Sequence, residues 1–291
     1  MGTLSDVLEG WRPGTTTMTR RVDPWAVAAF ADLIGASPPD GNPGDALPPM
    51  WHWFVLLDHP KTREIGADGH PQDGPFMPPV PGRRRMFAGG RLRLSALIPI
   101  GADLTGVSSV TAVTVKHGRS GEMAFVTVRT DLSVGGASVG AEEQDIVYRS
   151  EPEGAASRRL ERQETGEPEP DGGWRLYLDT DPVLLSRFSA LTYNGHRIHF
   201  DKPYTTETEG YPDLVVHGPL LALLALELPR SHAAPGQAVR TFGYRLVRPA
   251  FVPARIVAAG RPAADGEANG VTLAVAAVGA APSLTAKATL A

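Results

Sequence analysis

Five side chains that can hold or move a proton lie within nine residues of one another in the second half of the chain. They are Tyr193, Asn194, His196, His199 and Asp201. An imidazole titrates at about 6.5, which suits proton transfer at neutral pH. His199 is therefore the candidate general acid/base. Asn194 cannot transfer a proton, but its amide can orient a water or a hydroxyl group, or shape a turn before the glycine that follows it.

A helix N-terminus is predicted shortly after this cluster. The pair Gly218-Pro219 precedes the apolar run Leu-Leu-Ala-Leu-Leu-Ala-Leu, which is typical of a buried helix. The unpaired amides and the dipole at a helix start favour negative charge. The Gly218 N–H is thus a candidate donor to an oxygen that becomes an oxyanion, although a glycine here could instead serve close packing. His217, directly before it, is either a supporting or a structural residue.

A basic cluster in the first half, Arg83-Arg84-Arg85, follows a Pro/Gly-rich segment that runs from Asp58 to Gly82. Loops of this length are usually functional or mobile. Arginine pairs well with phosphates and carboxylates, so the cluster is a candidate substrate-binding site. A solvated run of surface charge is the alternative.

The sequence from Tyr193 to Asp201 resembles the MaoC-like, hotdog-fold enoyl-thioester hydratases and dehydratases. Their signature, Gly-Asp-x-Asn-Pro-x-His, places a catalytic Asp and His five positions apart. Asn194 and His199 have this spacing, but Asn replaces the Asp, His196 replaces the Asn and Arg197 replaces the Pro.

The sequence of this stretch is more similar still to a subgroup that contains 3-methylfumaryl-CoA (mesaconyl-CoA) hydratases and mitochondrial-type 3-hydroxyacyl-thioester dehydratases. In the first half, Phe76–Pro81 and Arg84–Gly90 are similar to the same subgroup.

The resemblance implies a cofactor-independent hydro-lyase that acts on an acyl-CoA or acyl-carrier-protein thioester, with a short branched or dicarboxylic acyl group favoured. In that reading His199 handles the proton of the water, Asn194 positions the water, and Gly218 binds the thioester oxygen. His196, Asp201 and His217 are candidate supporting groups. Tyr193 and the three arginines are candidate substrate contacts. A thioester-binding protein without turnover and a hotdog thioesterase are the alternatives.

The two halves of the chain repeat each other. Asp23-Pro24 and Asp181-Pro182 each open a predicted helix, because Asp caps and Pro suits the first turn. A second apolar helix is predicted in each half, over Met50–Leu57 and from Gly218 onward, and alternating segments such as Phe125–Val134 predict strands after it. The pattern predicts an α+β double hotdog, in which two antiparallel sheets each wrap a long central helix.

This repeat divides the chain into an N-terminal hotdog over 1–150, a polar linker over 151–172, and a C-terminal hotdog over 173–291 that carries the motif.

Composition narrows the classes of function. The 291 residues contain no cysteine, which excludes disulfides and thiolate chemistry. A net charge of −4 gives no reason to expect nucleic acid. No apolar run is long enough to span a membrane, and no secretion or lipidation signal is recognised, so the expected location is cytoplasmic. His196, His199 and His217 could be considered as a metal site, but no carboxylate or histidine falls at an established zinc spacing with them, so no metal is expected. A homodimer is the expected assembly.

Overall fold

A computed structural model describes residues 3–36, 41–80, 82–118, 121–150, 159–162, 166–167, 169–263 and 269–291. Ten antiparallel strands form one continuous sheet. The strands from the first half are β1 (Thr16–Arg21), β2 (Arg83–Leu94), β3 (Asp103–Gly118), β4 (Gly121–Val134) and β5 (Ala137–Ser150). Those from the second half are β6 (Trp174–Thr180), β7 (Val239–Leu246), β8 (Ala254–Pro262), β9 (Gly270–Ala277) and β10 (Leu284–Leu290).

The order of the strands confirms the predicted internal repeat. It runs β1-β3-β4-β5-β2 in the first half and β6-β8-β9-β10-β7 in the second, so each strand has an equivalent five numbers later. The two sheets join where β2 pairs with β7. Glycine is needed at this junction, because a Cβ on Gly90 would lie 2.5 Å from the carbonyl oxygen of Glu143. Much of the predicted linker over 151–172 lies outside the described residues, so the linker and the domain boundaries stay predictions.

The four α-helices of the described chain are α1 (Leu4–Leu8), α2 (Pro24–Ile34), α3 (Pro182–Leu191) and α4 (Gly218–His232). Asp23 caps α2 and Asp181 caps α3, each accepting a backbone N–H, as predicted from the Asp-Pro pairs. The helix α4 is buried along most of its length and packs on β6, β8, β9 and β10. None of the described helices is long and apolar enough to cross a membrane.

The predicted second helix of the N-terminal half, Met50–Leu57, is wrong. Only a single 3-10 turn, Trp51–Phe54, forms there. Met50 has a left-handed φ of 70°, so the chain enters this segment in a conformation that an α-helix does not contain. Trp51 and Phe54 instead pack on Phe30 of α2, which also contacts Phe188 of α3. This aromatic cluster fastens the two halves together.

Candidate active site

A groove of about 1700 Å³ runs between the two halves. In the first half, its walls come from the long loop that precedes β2 and from β2 itself. In the second half, they come from the end of α3, the 193–199 segment and the start of α4. The predicted residues His199, Asn194, His196, Tyr193 and Gly218 all line it. The three predicted arginines line it too. Asp201 and His217 do not belong to its wall.

His199 ends a 3-10 turn, Arg197–His199, and is buried. Its Nδ1 lies 2.7 Å from the carbonyl oxygen of Val215. Since a carbonyl can only accept, Nδ1 carries the proton and the lone pair is on Nε2. Burial lowers the pKa of His199 to about 4, in spite of this hydrogen bond. The ring is therefore neutral at physiological pH, in the form that a general base requires.

His217 supports His199 from behind. The two rings stack with centroids 3.6 Å apart, and His217 Nε2 lies 2.9 Å from Ser189 Oγ. Burial, and after it the positive charges of neighbouring histidines, hold the pKa of His217 well below its usual range. His217 thus fixes the plane of the His199 ring and does not reach the groove itself.

Asn194 is a turn residue in this fold. Its Oδ1 accepts the N–H of His196 at 3.0 Å, and its own N–H donates to the carbonyl oxygen of Ser189. Among the described residues, no acceptor is bonded to its side-chain NH2 group. The turn and the polar roles considered for Asn194 are therefore compatible. Tyr193 has a left-handed φ of 50° and is 62% exposed, at the rim of the groove.

His196 lines the groove next to His199, with ring centroids 5.5 Å apart. Burial, helped by the charges of neighbouring cations, lowers its pKa to about 2. Asp201, like His217, does not line the groove. Its Oδ2 accepts two hydrogen bonds from Arg197, and its Oδ1 accepts the N–H of Tyr204. These hydrogen bonds stabilise the conformation of the motif, so the role of Asp201 is structural.

Gly218 begins α4 and its N–H, in the first helical turn, has no acceptor within the described chain. A Cβ at this position would lie 2.5 Å from Leu246 Cδ1. Both interpretations of this glycine are therefore compatible. It permits close packing, and it leaves a free N–H on the groove wall.

A hairpin from the first half reaches the 193–201 motif, and the sequence analysis missed it. It spans Glu64 to Gln72, closed by a hydrogen bond from Gln72 N to the Glu64 carbonyl oxygen. The backbone N–H of Arg197 donates to the Asp68 carbonyl oxygen at 2.9 Å. The ring of His70 lies 4.0 Å from that of His196, centroid to centroid. The sequence Asp68-Gly69-His70 within the long loop, a glycine between an acid and a histidine, is the signal that could have identified it.

The three arginines differ in how they are engaged. Arg83 donates to the carbonyl oxygens of Pro78 and Gln72, and so stabilises the loop. Arg84 forms an ion pair with Glu209 across the groove. Arg85 makes no hydrogen bond or ion pair with any residue that the structure describes. Its charge lies close enough to lower the pKa of His196.

One group in the described ranges has the donor set of a metal site. Asp68, His70 and His196 each offer a ligand atom, and these atoms all lie within 4.8 Å of one another. This is a different set from the three histidines of the motif and α4, for which no metal spacing was expected. Asp68 accepts hydrogen bonds from His70, both from the backbone N–H and from Nδ1.

Comparison with known proteins identifies the family of this chain. The model of the family described as hydroxyacyl-thioester dehydratase type 2 matches residues 50–252. The chain belongs to this family. A mesaconyl-C(4)-CoA hydratase from Chloroflexus aurantiacus is 45% identical over 244 residues, which are 82% of this chain and 83% of the relative. The predictions of the family, of a hydro-lyase and of acyl-thioester chemistry are confirmed.

Solved structures support the fold. A MaoC-like dehydratase from Phytophthora capsici superposes with a TM-score of 0.68 at 16% identity, covering 99% of this chain and 98% of its own. A Mycobacterium tuberculosis protein whose structure has a double hotdog fold superposes with a TM-score of 0.57 at 15% identity, covering 100% and 98%. The predicted double hotdog is confirmed, although its first copy lacks the long helix.

Proposed function

We propose that this protein is a hydratase that adds water to the α,β double bond of an enoyl-CoA whose acyl group carries a second carboxylate, as in mesaconyl-CoA. The same site can catalyse the reverse dehydration. One observation carries the proposal: the neutral, buried His199 offers Nε2 to the groove in which Gly218 offers a free N–H.

His199 supplies the base. Its Nδ1–H is committed to the Val215 carbonyl, so Nε2 takes a proton from water as the water oxygen bonds to the β-carbon. The electrons of the double bond move toward the thioester oxygen, which becomes an enolate. The Val215 carbonyl is itself fixed, because Val215 N–H donates to Ile198 and Val216 N–H to Ala250.

Gly218 stabilises the enolate. Its N–H lies at the positive end of the fifteen-residue α4, where the amides are oriented before the charge develops. Asn194 contributes its side-chain NH2 group, which is free to orient the attacking water, while its oxygen keeps the turn.

Arg85 recognises the second carboxylate. Of the three neighbouring arginines it is the one without a partner in the described residues, and it lies on the groove wall near His196. An arginine pairs with a carboxylate through two parallel hydrogen bonds, which gives direction as well as affinity. Arg83 and Arg84 keep the loop and the groove in shape.

The test is incubation of the protein with mesaconyl-CoA and with crotonyl-CoA, which lacks the second carboxylate. We expect loss of the enoyl absorbance, with mesaconyl-CoA the better substrate by kcat/KM. Release of free thiol would instead indicate a thioesterase, and tight binding without either change would indicate a binding protein.

The variant Arg85→Gln should reduce the preference for mesaconyl-CoA, mainly through KM. Arg91→Gln is the matched control, because Arg91 lies on the same strand but pairs with Glu143 and Asp145 outside the groove. Equal preference in both variants would remove Arg85 from the site.

A further inference from the structure

The proposed mechanism lacks a second proton-transfer group. Hydration needs a base for the water and an acid that delivers a proton to the α-carbon. Asn194 stands where the family places an aspartate, and an amide can do neither. The nearby acids of the second half are occupied, since Asp201 pairs with Arg197 and Glu209 with Arg84.

The first half offers a carboxylate–imidazole pair at this point. His70 Nδ1 lies 3.1 Å from Asp68 Oδ2, and the His70 backbone N–H donates to Asp68 Oδ1 at 2.9 Å. Both oxygens of the Asp68 carboxylate therefore face His70. Since a carboxylate can only accept, the proton of this pair is on His70 Nδ1, and Nε2 is the nitrogen that gains or loses a proton.

The hairpin that bears this pair is fixed against the motif. Arg197 donates to the Asp68 carbonyl oxygen from its backbone and to the Ala67 carbonyl oxygen from its guanidinium, both at 2.9 Å. Gly69 packs so tightly on Gly195 that a Cβ would overlap the Gly195 carbonyl oxygen. His70 consequently holds its place beside His196, which in turn lies beside His199. A rigid support of this kind is typical of groups that act on a reacting atom.

We propose that His70, oriented by Asp68, is the second catalytic residue and exchanges the proton on the α-carbon. The inference rests on the proposed function. As His199 takes one proton from water and the oxygen bonds to the β-carbon, protonated His70 gives its Nε2 proton to the α-carbon, and the enolate returns to a carbonyl. The proton left on His199 then passes through His196 or water to His70, which restores both groups. The N-terminal half thus supplies half of the chemistry.

The experiment compares His70→Gln and Asp68→Asn with His59→Gln, an exposed histidine earlier in the same loop that does not line the groove. Two rates are measured for the full chain. One is the hydration of mesaconyl-CoA. The other is the uptake of deuterium from D2O at the α-carbon of methylsuccinyl-CoA, which has no double bond and so needs no hydration. Circular dichroism and the melting temperature establish that each variant is folded.

We expect His70→Gln to lower kcat and α-exchange together by about a hundredfold or more, with KM changed little. Asp68→Asn should lower both rates less, by about tenfold or more. His59→Gln should leave both unchanged. A folded His70→Gln protein with normal α-exchange, or one that loses only KM, would overturn the proposal.

The outcomes separate this inference from the proposed function. If the wild type exchanges the α-proton in a His70-dependent way but does not hydrate, the proposed function fails and the role of His70 stands. If it hydrates without depending on His70, the reverse holds, and if it does neither, both fail. Loss of hydration in EDTA with recovery on adding Zn²⁺ would show that Asp68, His70 and His196 bind a metal, and would also overturn the proposal.

Discussion

The two halves of the molecule share a strand order but bury their histidines in opposite ways. In the N-terminal half, Nε2 of the buried His52 lies 2.5 Å from Glu142, whose other oxygen accepts the indole N–H of Trp53. In the C-terminal half, the buried His199 is held by a carbonyl through Nδ1, and no described residue occupies its Nε2. His217 behind it contacts a serine and has an unbonded Nδ1.

This difference separates a structural histidine from a reactive one. Removing one partner of a buried histidine–carboxylate pair destabilises the fold, because it leaves an uncompensated polar group. A histidine that is buried without an acid costs stability, because it must stay neutral, but it keeps a lone pair for a substrate. The groove lies where the second kind is concentrated.

Of the substitutions that test this contrast between the two halves, one at His199 should have the largest effect. His199→Asn keeps a nitrogen near the position of Nδ1, so the hydrogen bond to Val215 can persist while Nε2 is lost. We expect kcat for hydration to fall between about a hundredfold and about ten-thousandfold, the range for a general acid/base. Steady-state kinetics with mesaconyl-CoA measure it. Near-normal turnover in the folded variant would mean that His199 is not the base.

Substitution of His52, the buried histidine of the first half, should affect stability and not catalysis. His52→Ala removes the partner of Glu142, and the free energy of unfolding should fall by about 3 kcal/mol or more, with kcat of the folded protein unchanged. His52→Gln retains a donor near Nε2 and should lose less. Urea unfolding at pH 7 gives both values. An unaltered unfolding midpoint for His52→Ala would contradict the structural role of this pair.

The buried histidines without acids also predict how stability depends on pH. The folded-state pKa values of His199 and His196 are lowered by burial to about 4 and about 2, so the unfolded chain binds more protons below about pH 6.5. Stability should therefore fall as the pH drops below that value, by about 1.4 kcal/mol per pH unit for each such group. Urea unfolding between pH 7 and pH 5 measures this slope. His199→Asn should flatten it, whereas a slope equal to that of wild type would mean that His199 is not held neutral.

Substitutions at Asn194 should have the smallest effect on the rate of hydration. Asn194→Asp retains an oxygen for the His196 N–H but adds a negative charge beside the histidines, which should raise the pKa of His199. The acid limb of the pH–rate profile, near pH 4 in the wild type, should shift upward. Asn194→Ala introduces no charge and should lower the rate with little shift. Wild-type rates and profiles for both would limit Asn194 to its turn.

Features that depend on adjacent residues could be predicted from the sequence. Asp23 and Asp181 with their prolines start helices because capping and φ are properties of adjacent residues. Alternation in Phe125–Val134 specified a strand with one buried face. The spacing of Asn194 and His199 indicated the family. The repeat of the Asp-Pro helices indicated the double hotdog fold.

The contacts among these residues could not be predicted from the sequence, because they depend on how distant segments pack in the folded protein. The tertiary structure placed Asp68 and His70 against a motif more than a hundred residues away, and left Arg85 free while Arg84 found Glu209. It also replaced a predicted helix at 50–57 by one 3-10 turn. Apolar periodicity tells whether a segment can be buried, but the shape of the space that it must fill is set by the opposite half of the molecule.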